Sequence, residues 1–388
     1  MLTAIAVSPD RSLSEGLQRL AVASRQVSIY KSLNRYPTPY ELVRICNACD
    51  PDFLFLDLSD WKAAAPIVAK INKEFPKTSI MGFGPSWIQD LRAAYESSGI
   101  PVLLSTPFDL DDFQNGILSA FRSTRGGIHE NLVAFLPAKA GNGSSVTAFN
   151  VAGALAGDLS RNVLLIEGDL HSGVLSVRAS FAVQYYLQDI LDNPEVITRG
   201  EWLRYIVERH GFDILPAGRS RVSSVPRWSN YFHLLQYASG EYNTVIADLP
   251  ETINDATAEV VLRAGAVHVV CTAERPSLEL ARRRCKELAE LGVEAGRVSL
   301  VVNRLHPTDI TPTELAELMS CPVAKALPND YQSLRTATDE GLLVNRDTEL
   351  GRAYLSFARM IAGLPEQEEA AEAGHGKHRF RLAAFLGR

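Results

Sequence analysis

Short apolar runs alternate with segments of helical periodicity along most of the chain. In the first part the runs are Leu2–Val7, Val27–Tyr30, Phe53–Asp57, Ser79–Phe83 and Val102–Leu104. Each is continuous rather than alternating, the pattern of a strand covered on both faces. Among them lie stretches with apolar residues three and four apart, such as Ser12–Ala23, Tyr40–Ala48 and Trp61–Phe75, which predict amphipathic helices. Strands separated by helices pair in parallel, because the helix carries the chain back along one face. Residues 1–122 are therefore expected to form a doubly wound α/β domain of flavodoxin-like type. The polar stretch 123–131, with a Gly pair, is expected to be a linker.

The alternation resumes at Leu132–Leu136 and continues through Val163–Glu167, Asp213–Leu215, Thr244–Asp248, Ala266–Cys271 and Val298–Val302. A second doubly wound domain is expected over 132–364. One of its helices is predicted at Ser277–Leu291, with Ser277 as the start signal and Glu279 just after it. Residues 365–388 read as a tail. It opens acidic and ends basic, with Leu382, Phe385 and Leu386 on one helical stripe flanked by Arg379 and Arg381. A short membrane-surface helix, a docked segment and a disordered tail all fit that pattern.

Composition narrows the function little. The chain has 388 residues and a formal net charge of −6, so no overall field draws it to nucleic acid or anionic lipid, and DNA is a disfavoured partner. The amino terminus lacks the basic flank of a signal peptide, and no apolar run reaches membrane-spanning length. The 5 cysteines are Cys46, Cys49, Cys271, Cys285 and Cys321, an odd, scattered set that suits a reducing cytoplasm. Cys46 and Cys49 form C-x-x-C without a second pair, so they are expected to be packed thiols rather than metal ligands. Arg282-Arg283-Arg284 is expected to be a solvated helix face.

The segment Ala138-Lys139-Ala140-Gly141-Asn142-Gly143-Ser144-Ser145 carries the chemistry. A strand runs into it and a small-residue helix, expected over Ser145–Leu159, runs out. That arrangement lets backbone N–H groups surround a phosphate. In the G-x-x-x-x-G-K-[ST] pattern a lysine stands where this chain has Ser144, while Ser145 keeps the hydroxyl expected on Mg²⁺. Further along come Glu167-Gly168-Asp169, the strand-ending Asp248, and Asn303-Arg304 after another strand.

These four segments, in this order, resemble the MinD/ParA group of P-loop ATPases. The resemblance implies ATP and Mg²⁺ as cofactors. Lys139, Gly141, Gly143, Ser144, Ser145, Asp248, Asn303 and Arg304 would bind nucleotide, Asn303 by contact with adenine. Ser145, Asp169 and Asp248 would hold the metal. Lys139, Glu167 and Asp169 would be catalytic, Lys139 by reaching the partner's nucleotide in a homodimer. The replacement of the lysine by Ser144 implies weak binding and weaker turnover, because the lost charge acts on the transition state.

In the first domain Asp57 ends a buried strand at the ligand edge of the sheet. This resembles a response-regulator receiver, in which such an Asp accepts phosphate. Ser8 and Pro9 stand where the metal-binding acids belong, Thr106 where the lysine belongs, and Gly82-Phe83-Gly84 at the hydroxyl switch. Asp57 is therefore expected to stay unphosphorylated, in a pseudo-receiver used for docking. A pseudo-receiver ahead of a MinD/ParA-like domain resembles the CpaE/TadZ family. That implies a cytoplasmic factor, polar or membrane-associated, that positions Tad (Flp-type) pilus assembly with partners including a secretion ATPase. An active ATP-dependent dimerisation switch and a regulator phosphorylated at Asp57 are the alternatives.

Overall fold

The computed structural model describes residues 2–24, 26–125, 127–179, 181, 184–192, 199–218 and 228–365. The expected tail helix at 377–388 lies outside them. The chain divides into two units, Met1–Gly127 and Ile128–Arg388.

The first unit is built on β1 (Leu2–Val7), β2 (Val27–Leu33), β3 (Phe53–Asp57), β4 (Ser79–Gly84) and β5 (Val102–Ser105). The strand order is β2-β1-β3-β4-β5 and every pairing is parallel, the flavodoxin-like arrangement. Strand β3 lies at the middle and all five of its residues are buried, which is why it reads as an unbroken apolar run. The division between the two units falls inside the expected linker at 123–131. Helix Leu110–Arg125 runs into it, and the next strand begins at His129.

In the second unit the strands are β6 (His129–Pro137), β7 (Val163–Glu167), β8 (Val207–Arg209), β9 (Phe212–Leu215), β10 (Thr244–Asp248), β11 (Ala264–Thr272), β12 (Val298–Leu305) and β13 (Val323–Pro328). Their order is β13-β12-β11-β6-β10-β7-β9-β8. All neighbours are parallel except β8 and β9, a short antiparallel edge. Two strands escape the sequence pattern. Strand β13 is a half-buried edge with Lys325 at its middle, and β8 has three residues, none buried.

Strand β6 lies between β11 and β10, so its carboxyl end opens at the centre of the sheet. The helix that follows, Ser144–Gly153, starts one residue earlier than expected and gives way to a wider π-helical turn over Ala154–Asp158. Eight of its ten residues are buried, so it is enclosed rather than amphipathic. On the same side of the sheet, Phe357 of helix Glu349–Ile361 packs edge-on against Phe135 at 5.9 Å and His268 at 5.0 Å between ring centres. Phe357 is fully buried. Phe357→Ala should cost about 3–5 kcal/mol of stability. The check is the midpoint of urea unfolding; an unchanged midpoint would show that this ring is not a core element.

Candidate functional site

Polar groups buried at the sheet's carboxyl edge hold the loop 138–145. Ala138 N–H donates to Val270 O at 2.9 Å. The Asn142 side chain is buried and donates to Val270 O at 3.2 Å and to Ser277 Oγ at 2.8 Å. Ser277 Oγ also accepts from Thr272 N–H at 2.9 Å. Opposite, Asn303 Nδ2 donates to Asn142 O at 2.8 Å and the Arg304 guanidinium donates to Gly141 O at 3.1 Å. Gly143 has φ +91, and a Cβ there would fall 2.2 Å from Asn303 Nδ2. Both the backbone conformation and the close approach demand glycine.

This geometry changes three expectations. Ser277 does not cap its helix, which runs Arg275–Glu290 with Glu274 at the cap position. Its hydroxyl is instead a link between the loop and the end of β11. Asn303, expected at the base of a nucleotide, places one amide N–H on the loop backbone, and the Arg304 guanidinium places another. A polar residue buried just after an apolar strand was the signal for Ser277 and Asn142, but burial is not legible from spacing alone.

Ser144 Oγ donates to Asp248 Oδ1 at 3.1 Å, and the Ser145 hydroxyl lies beside the same carboxylate and helps hold its pKa down. The structure thus brings together Ser144, Ser145 and Asp248. Asp248 is buried, and desolvation pushes its carboxyl up to about 7 against the pull of the two hydroxyls. Where a lysine would neutralise this acid, the chain has only hydroxyls. A divalent ion fits here: Ser145 and Asp248 supply one hydroxyl and one carboxylate, and Mg²⁺ commonly takes few protein ligands and completes its shell with phosphate and water. Among the described residues no group of three or more acidic, His or Cys side chains could hold a metal alone.

The expected catalytic acids are placed differently. Glu167 pairs with Asp248 across β7 and β10. Its Oε1 accepts from Val174 N–H at 2.5 Å and Leu175 N–H at 2.8 Å, and its Oε2 accepts from Ala217 N–H at 2.9 Å. Burial raises its pKa while those three bonds lower it, with a net rise. Glu167 is therefore a buried anchor for two backbone segments, with both oxygens taken, and is not poised over the loop. Asp169 Oδ1 accepts from His171 and Ser172 N–H at 3.0 and 2.9 Å, closing its own turn. Lys139 is half-exposed and lies 3.8 Å from Glu274, a loose pairing.

In the first unit both carboxylate oxygens of Asp57 are engaged. Oδ2 accepts from Ser8 Oγ at 2.7 Å and Oδ1 from Ser59 N–H at 2.9 Å. The residue is buried, and among the described residues no salt bridge reaches it. Cys46 is buried and its thiol is pushed up to about 12 by burial, while Cys49 donates to Ile45 O at 3.3 Å. Cys285 and Cys321, far apart in sequence, approach to 3.9 Å between sulfurs. Arg282 and Arg283 pair with Glu279 on an exposed face, but Arg284 is largely buried, against expectation.

Two outcomes follow from the acids. The folded protein binds a proton at Asp248 up to about pH 7, whereas the unfolded chain releases it near 3.8. Stability from this group is thus present at low pH and lost as pH rises through 7. Burial lowers His268 to about 4, which gives the opposite slope only below its unfolded value near 6.5. Melting temperature should therefore fall from pH 6.5 to 8, and Asp248→Asn should flatten that fall. Separately, acetyl phosphate with Mg²⁺ should leave Asp57 unmodified by mass spectrometry; a phosphoryl adduct lost in Asp57→Ala would contradict this.

No family model matches the chain. The septum site-determining protein MinD of Thermotoga maritima is 21% identical over 243 residues, which is 60% of this chain and 88% of that protein. A ParA family ATPase from Chlorobium tepidum superposes with a TM-score of 0.55 at 20% identity, over 59% of this chain and 97% of that one. MinD of Pyrococcus horikoshii, solved with Mg-ADP, superposes with a TM-score of 0.52 at 20% identity, over 60% and 95%. About 60% of the chain therefore carries the fold of the MinD/ParA ATPases.

Proposed function

We propose that this protein is a positioning factor of MinD/ParA type whose nucleotide chemistry is weakened. The observation that carries the reading is Ser144. It stands at the lysine position of an otherwise well-built phosphate loop and is hydrogen-bonded to Asp248. The Thermotoga relative is a septum site-determining protein and the Pyrococcus one binds Mg-ADP, which support positioning and nucleotide binding as the inherited roles.

In this reading the loop N–H groups take the phosphates, Ser145 and Asp248 hold Mg²⁺, and Lys139 serves a partner subunit's nucleotide in a homodimer. Bound Mg²⁺ would screen the phosphate charge and neutralise Asp248. Loss of the lysine removes roughly 1.5–3 kcal/mol of charge-assisted hydrogen bonding, or about one to two decades of affinity. Glu167 has both carboxylate oxygens on backbone N–H groups, so it is not free to orient an attacking water.

The finer role rests on sequence resemblance. A receiver-like domain before a MinD/ParA-like domain, as in CpaE/TadZ proteins, supports a scaffold for Tad pilus or secretion assembly at a cell pole or membrane site. Its partners would be pilus-assembly proteins, including a secretion ATPase. The half-exposed Lys139 favours one rival, an ATP-dependent dimerisation switch.

Calorimetry with Mg-ATP separates the two. A scaffold shows weak or absent binding that Ser144→Lys strengthens by about ten- to a hundredfold. A switch shows wild-type binding and dimerisation that collapse in Lys139→Ala. Absence of binding in wild type and Ser144→Lys alike would remove the nucleotide from the reading.

A further inference from the structure

The loop's carbonyls face one set of neighbours and its Ala140 N–H another. Gly141 O and Asn142 O accept from Arg304 and Asn303, on the β12 side. Ala140 N–H instead donates to the carboxylate of Glu251, at 2.7 Å to Oε2. Glu251 is the third residue after Asp248, in the segment that leaves β10. Its position is set from behind: the Arg284 guanidinium, itself paired with Glu287, donates to Glu251 O. The largely buried Arg284 thus has a use that its neighbours Arg282 and Arg283 lack.

A carboxylate held on a phosphate loop is an unusual tenant. Successive N–H groups in such a turn form an anion-binding concavity, and a carboxylate satisfies the donor as a phosphate oxygen does. Around it Glu274 lies beside Lys139, Asp248 beside Ser144 and the Arg304 guanidinium on Gly141 O, so the loop rim holds three acids and two cations.

We propose that Glu251 is a built-in occupant of the phosphate loop, which a nucleoside triphosphate with Mg²⁺ must displace from Ala140 N–H before it can bind. Glu251 thereby sets the threshold for nucleotide binding, separately from the missing lysine. This inference rests on the nucleotide reading above. The side chain is exposed, so it can swing into solvent without opening the core, and its removal leaves no cavity.

The test uses the full chain, with Glu251→Ala and Glu251→Gln made alone and in combination with Ser144→Lys. Without ligand, hydrogen exchange of a peptide spanning residues 137–145 should be faster in Glu251→Ala. With Mg-ATP, the dissociation constant should tighten by on the order of tenfold when Glu251→Ala is added to Ser144→Lys. Glu251→Gln, which keeps an acceptor but loses the charge, should fall between. Equal dissociation constants in Ser144→Lys and Ser144→Lys with Glu251→Ala would overturn the inference while leaving the nucleotide reading intact. If no variant binds Mg-ATP, the nucleotide reading fails and the inference fails with it. A loop peptide whose exchange is unmoved by Glu251→Ala would show that the contact does not hold in solution.

Discussion

Much of the second unit is organised around one buried amide, the side chain of Asn142. It ties the turn after β6 to Val270 on the adjacent strand and to Ser277 in the next helix. Its own carbonyl is held from the other side by Asn303. Three residues, each more than 100 positions from Asn142 in the sequence, thus converge on it. A buried polar group without partners is costly, so each of these bonds also constrains where the other segments can end. The shape of the loop follows from that satisfaction, whether or not a ligand is present.

The same edge of the sheet carries a charge conflict. Asp248 and Glu167 sit side by side at the ends of β10 and β7. Burial pushes both carboxyls up, but Glu167 is held by three backbone N–H donors, whereas Asp248 meets only serine hydroxyls of the loop. The two acids therefore answer to different partners: Glu167 to backbone N–H groups, Asp248 to a side chain of the loop.

The sequence was most legible where a residue's role follows from its neighbours in the chain. Strands β3, β7 and β10 stand out because each is an unbroken buried run, and β6 because it is one from Leu132 onward. Strand β13 does not, because an edge strand with a lysine lacks that pattern. Ser144 and Ser145 were placed at the loop by its motif and Asp248 beside them by family resemblance, and the structure brings Asp248 onto Ser144. Ser277, Glu251 and the Cys285–Cys321 approach were not legible, since each depends on a contact across more than 30 residues. Glu167 and Asn303 kept the positions that resemblance implies but not the free side chains, because backbone groups claim them first.

The enclosed helix Ser144–Gly153 has a mechanical consequence. Its sides are packed all round, and Asn150 also fixes the backbone of Val344 at 2.8 Å. Such a rod cannot pivot or slide without breaking apart dense packing on several sides at once. Any signal generated at the loop must therefore travel outward through the rim, along the segment leaving β10 and the helix beginning at Arg275, while the floor stays still. The socket behaves as an anvil, and its movable parts are those that rest on top of it.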